Sequence, residues 1–201
     1  AIAYSYDYVS KDIEYIKKGA SFNKTKLFLG PGTGLGASIS INDIVLPTEI
    51  GNTFHSYLSL QKNYEFESQK SLVLEDLISG SAISNMYEIK TNHKISSEEV
   101  LKKSRQDDPQ AKIIINGFIK SLAETLSELA MTFMPGDGIF LAGNLIRNIY
   151  DDINKENFNE IFLSNRKNVH KEMLDMITIG VIMKERTPLY GNLKLYQIIN
   201  K

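Results

Sequence analysis

Cysteine is absent from the 201 residues, which excludes disulfides, thiolate metal sites and a cysteine nucleophile. Neither charge is in surplus: 23 Lys and Arg stand against 24 Asp and Glu. Nucleic-acid and anionic-membrane partners usually show as a basic excess, so neither is expected. No apolar run approaches the ~18 residues of a spanning helix, and the N-terminus has no signal-peptide pattern. His55, His93 and His170 are scattered without ligand spacing and read as surface or loop residues. There is no internal repeat, low-complexity tract or linker. The expectation is one cytoplasmic domain over residues 1–201, with 42% hydrophobic residues to build its core.

Glycine is what the chain does have, and its placement is not random. Lys26-Leu-Phe-Leu-Gly-Pro-Gly-Thr-Gly-Leu-Gly-Ala-Ser-Ile-Ser-Ile41 puts glycine at 30, 32, 34 and 36. Leu27 to Leu29 reads as a buried strand, and Ala37, Ile39 and Ile41 alternate with serine as a second. A dinucleotide fingerprint is excluded, because the sixth place counted from Gly30 is Leu35 and a strand follows. A P-loop is excluded because Ala37 and Ser38 follow Gly36 in place of Lys and Ser or Thr. Two readings stay open: a plain glycine-rich hairpin, and a hairpin whose bare amides and Thr33 hydroxyl hold a phosphate. Four alternating glycines exceed what a hairpin turn requires.

The remaining elements follow from pattern. Residues 1–18 read as a helix on the spacing of Ile2, Tyr6, Val9, Ile13 and Ile16. Asn42-Asp43 is a tight turn into a strand at 44–48, which Pro47 assigns to a sheet edge. The polar stretch 56–71 is expected to be partly helical. Glu75 to Gly80 ends one helix at its glycine, and 81–89 forms another. Ser96 with Glu99 starts a third. Asp108-Pro109 opens the longest, running to about Phe133 on the stripe Ile114, Phe118, Leu122, Leu126, Leu129. Ile139–Ala142 is an apolar strand leading into a helix through Ile146, Ile149 and Ile153. A strand at about 176–183 precedes a C-terminal helix.

Four motifs in this order resemble those of bacterial-type glucokinases, in the superfamily of actin, heat-shock chaperone ATPases and sugar kinases. They are Gly30-Pro-Gly-Thr-Gly-Leu-Gly36, Leu46-Pro47-x-Glu49-x-Gly51, Glu75-x-x-x-Ser79-Gly80 and Ile139-Phe-Leu-Ala-Gly143. The resemblance covers the whole chain but only the larger, C-terminal lobe of that fold. It implies an α/β, ribonuclease H-like (actin-like ATPase) lobe: a mixed five-stranded sheet in the order β-β-β-α-β-α-β-α. Gly32, Thr33 and Gly34 would hold the phosphates of ATP with Mg²⁺, and Gly143 would let the adenosine lie against the backbone. Glu49 and Glu75, with Asn52, would bind glucose or a related hexose. Ionised carboxylates suit that role because they accept strong hydrogen bonds from sugar hydroxyls. On residue pattern alone, Glu75 reads equally as a surface acid and Glu49 as a turn residue.

The sequence also departs from the family. Ile50-Gly51-Asn52 stands where the family has Gly-Gly-His, and Gly143-Asn144 where it has paired glycines. The family's Asp-x-Gly-Gly-Thr and Asn-Asp-Phe segments do not occur, and the catalytic base belongs to the second of them. No residue is therefore assigned as catalytic or as a metal ligand, and Asp7 and Asp12 read as surface charges. The expectation is one half of a two-lobed glucokinase, inactive alone, with 1–18 leading in from a missing N-terminal lobe. The C-terminal helix at 188–201 packs toward that lobe, and a homodimer is a further expected partner. The alternatives are a non-catalytic sugar or nucleotide sensor, and a kinase for another hexose or an acylated hexosamine.

Overall fold

The structure, a computed structural model, describes residues 1–55, 58–68 and 72–200. Helix α1 (Ile2–Val9) leads into strand β1 (Ile13–Lys17), then β2 (Thr25–Pro31), β3 (Leu35–Ile41) and β4 (Ile44–Thr48). A short pair, β5 (Phe54–His55) and β6 (Leu72–Val73), brackets α2 (Leu58–Asn63). Helices α3 (Gly80–Thr91), α4 (Ser97–Arg105) and α5 (Pro109–Phe133) follow. The chain returns to the sheet as β7 (Gly138–Leu141), and α6 (Asn144–Ile149), α7 (Lys155–Leu163) and α8 (Asn168–Asp175) come next. Strand β8 (Ile179–Ile182) and α9 (Thr187–Ile199) close the chain.

Among the described residues the main sheet has six strands in the order β1-β8-β7-β2-β3-β4. The centre, β2-β7-β8, is parallel, and the flanking pairs are antiparallel. Central strands are apolar without interruption because both faces are covered. Leu27, Leu29, Ile139, Leu141, Ile179 and Val181 face the large core under α5, while Phe28, Phe140 and Ile182 face a smaller core under α1. The alternation follows from side chains pointing to opposite faces along a strand. Helix α5 starts where Asp108 Oδ1 accepts from the Ala111 amide at 2.9 Å, and Pro109 fills its first turn. Ile114, Phe118, Leu122 and Leu126 are fully buried along it, each stabilising the fold by roughly 1.5–3 kcal/mol.

Several expectations are corrected. The helix expected over 1–18 stops at Val9, and 13–17 is a sixth strand, antiparallel to β8. Ile13 and Ile16 lie three apart, as in a helix, but they serve opposite faces of the sheet, Ile13 in the small core and Ile16 in the large one. A three-residue separation does that in a strand, and period alone cannot distinguish the two. Gly80 begins α3 and does not end a helix: Ser79 Oγ accepts from the Ala82 amide at 3.0 Å, and 74–76 is a short 3-10 turn. The helix expected through Ile153 stops at Ile149 and continues as a 3-10 turn, and the strand expected at 176–183 shortens to β8. Helices α7 and α8 occupy a stretch for which the pattern suggested no element. Of the polar stretch 56–71, residues 56, 57 and 69–71 lie outside the described residues, and α2 accounts for the helical part. Asn42 and Asp43 have φ of 50° and 65°, the two-residue turn that matches strand twist, and β4 with Pro47 is the sheet edge as expected.

Candidate functional site

The candidate residues converge where the parallel strands β2 and β7 end, the position at which α/β sheets hold ligands. Strand β2 pairs with β3 through Pro31↔Leu35, leaving Gly32, Thr33 and Gly34 as the hairpin tip. Gly32 and Thr33 are exposed. The tip is anchored from below, since the Gly80 amide at the start of α3 donates to Gly32 O at 2.6 Å. The Gly32 amide is taken up within the bend, donating to Gly34 O at 2.8 Å.

None of the four hairpin glycines has a positive φ, so backbone conformation does not explain them. Close approach explains two. A Cβ on Gly34 would lie 2.6 Å from Glu75 Oε2, and one on Gly30 would lie 2.7 Å from the Ile2 side chain. Gly32 and Gly36 have nothing within 4 Å of the Cβ position. Glycine weakens a strand by roughly 0.5–1 kcal/mol relative to alanine, and at these two places the chain itself gains nothing in return.

Leu35 is the hub that joins the acidic residues to the hairpin. Its amide donates to Glu75 Oε2 at 3.2 Å. Its carbonyl lies 2.4 Å from where a Cβ on Gly51 would be, so the 3-10 turn Ile50–Asn52 is pressed directly against the start of β3. Glu49 precedes that turn, and Asn52 Nδ2 donates to Glu49 Oε2 at 3.1 Å. The Leu74 amide donates to Thr53 O at 3.1 Å, tying the turn that carries Glu49 to the one that carries Glu75. Glu49 and Asn52 are exposed and Glu75 half-buried, so acceptor oxygens remain open to solvent. Gly143 completes the group: its φ of 119° is strained for any other residue, and a Cβ there would lie 3.2 Å from Pro31 O. It therefore sits against the strand that feeds the hairpin.

All seven expected positions thus fall along one line of contacts: Gly143 to Pro31, the 32–34 tip, Leu35, then the two 3-10 turns. Sequence reasoning missed Leu35, whose main chain does the joining, and Gly36, whose open face matches that of Gly32. The alternation of glycine marked Gly36, whereas nothing in the sequence marked Leu35. Among the described residues no group of three or more His, Asp or Glu side chains is arranged to hold a metal ion. No helix among them is long and apolar enough to cross a membrane.

A glucokinase family model matches residues 1–197. The chain belongs to the glucokinase family. A glucokinase of Helicobacter acinonychis is 27% identical over 192 residues, covering 84% of this chain and 56% of the relative. A glucokinase-like protein of Xylella fastidiosa is 25% identical, with 85% and 55% covered. The chain therefore spans about 55% of the length of the curated relatives it matches. Among solved structures, a glucokinase from an Antarctic psychrotroph superposes with a TM-score of 0.77 at 20% identity, over 96% of this chain and 65% of that one. The Balamuthia mandrillaris glucokinase, solved in complex with glucose, gives 0.76 at 17% identity, over 98% and 64%. The glucokinase fold, an α/β mixed sheet with helices packed on it, is the fold of this chain, with six strands where the sequence suggested five.

Proposed function

We propose that this glucokinase-family chain supplies the hexose-holding and nucleotide-holding half of an enzyme that phosphorylates glucose at its 6-hydroxyl with ATP. The observation that carries the reading is the Glu75–Leu35 hydrogen bond, which brings an acidic side chain onto the glycine hairpin. A sugar carboxylate and a phosphate loop must be neighbours if a hydroxyl is to meet a phosphoryl group, because such transfer is largely positioning and charge stabilisation.

The roles follow from the chemistry of each group. Glu49, Glu75 and Asn52 would accept and donate to hexose hydroxyls and fix the ring. The amides of Thr33 and Gly34 and the Thr33 hydroxyl would face the terminal phosphates, with Gly32 and Gly36 leaving the space for them. Gly143 would allow the adenosine to lie flat against the main chain. ATP supplies the phosphoryl group, and Mg²⁺ arriving with it offsets the phosphate charge. The base that receives the hydroxyl proton is not assigned within this chain and belongs, on this reading, to a second lobe. The exposed face of α9, with Leu189, Leu193, Tyr196 and Ile199 at helical spacing, is apolar enough to pack against such a lobe.

A second reading, a non-catalytic sugar or nucleotide sensor, is favoured by one contact. Asn52 is tied to Glu49, and an amide there cannot titrate as a histidine can. Thermal shift with glucose, other hexoses, N-acetylhexosamines and an ATP analogue separates the readings. A ligand at ~100 times its Kd adds roughly 2.7 kcal/mol, or on the order of 5–10 °C for a domain of this size. Glucose phosphorylation appearing only when the preceding half of the enzyme is supplied in trans supports the kinase. Hexose binding with no turnover in that mixture supports the sensor, and no shift with any sugar or nucleotide defeats both.

A further inference from the structure

Behind the two 3-10 turns lies a cavity of about 700 Å³ that the proposed reaction does not use. Its volume falls within the ~300–1,000 Å³ of small-molecule sites. Ile50 and Leu74 form one wall, Leu129, Phe133 and Ile161 the other, between α5 and α7. The charged side chains at its edge are already matched. Ser59 Oγ and Asn63 Nδ2 donate to Glu124, and Arg166 donates to Glu128 Oε1 at 2.6 Å and to Ser127 Oγ at 3.1 Å.

One polar group on the wall is not matched. Thr125 is 4% exposed, lines the cavity, and its Oγ1 has no hydrogen-bond partner. A helical threonine ordinarily returns its hydroxyl to a carbonyl one turn back, and a buried polar group without a partner is uncommon enough to need a reason. A guest that supplies the missing partner is such a reason. With the edge carboxylates and Arg166 already engaged, a charged guest would lose its water and gain no counter-ion. An uncharged one loses little.

We propose that this cavity is a second binding site, for an uncharged amphipathic small molecule whose single hydroxyl or carbonyl meets Thr125 Oγ1. We assign it a regulatory role because Ile50 follows Glu49 and Leu74 precedes Glu75 in the chain, so whatever fills the cavity presses on both 3-10 turns from behind. This regulatory part rests on the hexose reading of Glu49 and Glu75, whereas the binding site itself does not. By linkage, a guest that alters hexose affinity has its own affinity altered by the same factor.

The test uses the full 201-residue chain and 4-phenyl-1-butanol as probe, with 4-phenylbutyrate as its charged counterpart, followed by methyl NMR. Saturable shifts at Ile50, Leu74, Leu129 and Ile161 are expected with the alcohol, and binding of the carboxylate about tenfold weaker or worse. Thr125→Val keeps the shape and removes the hydroxyl; it should weaken the alcohol by about five- to tenfold. No saturable shift, or equal affinity in Thr125→Val, overturns the site. Shifts of the same methyls that depend on protein concentration without probe would mean a second copy fills the groove, and also overturn it. Glucose titrated with and without saturating probe should differ in affinity by about fivefold or more; an unchanged affinity removes the regulatory part. If glucose binds in neither case, the hexose reading fails, and the probe shifts and their response to Thr125→Val still decide the cavity.

Discussion

Gly34→Ala tests the contact on which the site depends. The added methyl would lie 2.6 Å from Glu75 Oε2, where ordinary contact begins at 3.4 Å. The carboxylate must therefore retreat by about 0.8 Å, which breaks the 3.2 Å bond from the Leu35 amide. Leu35 is buried, so its amide loses a charged partner at a cost of about 1.5–3 kcal/mol. Alanine returns about 0.4–1 kcal/mol by restricting the unfolded chain, since φ at 34 is not positive. The loss wins, leaving a destabilisation of about 0.5–2.5 kcal/mol from these two terms. Urea unfolding with linear extrapolation resolves a change of that size.

A double-mutant cycle makes the prediction specific. Glu75→Gln keeps the shape and turns a charged acceptor into a neutral one, with roughly half the bond strength. If both substitutions act on one hydrogen bond, their effects fall short of additive by about 0.5 kcal/mol or more. Simple additivity within about 0.3 kcal/mol would mean that Glu75 and the hairpin are not in contact, and the argument joining sugar and phosphate sites would collapse. Hexose affinity should fall in each single variant.

Gly32→Ala and Gly36→Ala meet open space and should leave unfolding free energy unchanged or raise it by up to about 1 kcal/mol. Nucleotide affinity, read by calorimetry, should drop about tenfold or more in both, and equal affinity would return these glycines to a plain hairpin. Phe118→Ala, at the fully buried centre of α5, should cost about 3–5 kcal/mol in urea unfolding. Burial pushes the Tyr64 phenol well above its ordinary value, so the unfolded chain ionises first as pH rises. Stability from this group is complete below about pH 10 and falls above it by about 1.4 kcal/mol per pH unit. Tyr64→Phe should flatten that alkaline slope while losing about 1 kcal/mol at neutral pH with the bond to Leu77 O; identical slopes would place Tyr64 in solvent.

The parts of this fold legible from sequence are those whose signal is local. The β2–β3–β4 meander announces itself through alternation, Asn42-Asp43 and an edge proline, and α4 and α5 through caps at Ser96 and Asp108. Strand β1 was illegible because Ile13 and Ile16 satisfy a helical spacing, and only pairing with β8, more than 160 residues away, shows them to be strand residues. Gly80 misled for a related reason. Glycine after an apolar run is a common helix end, but here Ser79 caps the next helix and Gly80 is needed where Gly32 O approaches to 2.6 Å.

The site divides the same way. Glu49 and Glu75 could be named from the family motifs and from nothing else, since an exposed turn acid carries no chemical signature of its own. What the structure adds is the reason they share a neighbourhood: both turns close on opposite ends of the Leu35 peptide, one at its amide and one at its carbonyl. A leucine main chain has no pattern to read, so this joint is invisible before folding. The glycines give the converse case. Their number was legible, but the expected cause, freedom to adopt positive φ, is not the operative one. Gly30 and Gly34 make room for other parts of this chain, which leaves Gly32 and Gly36 to make room for something that is not part of it.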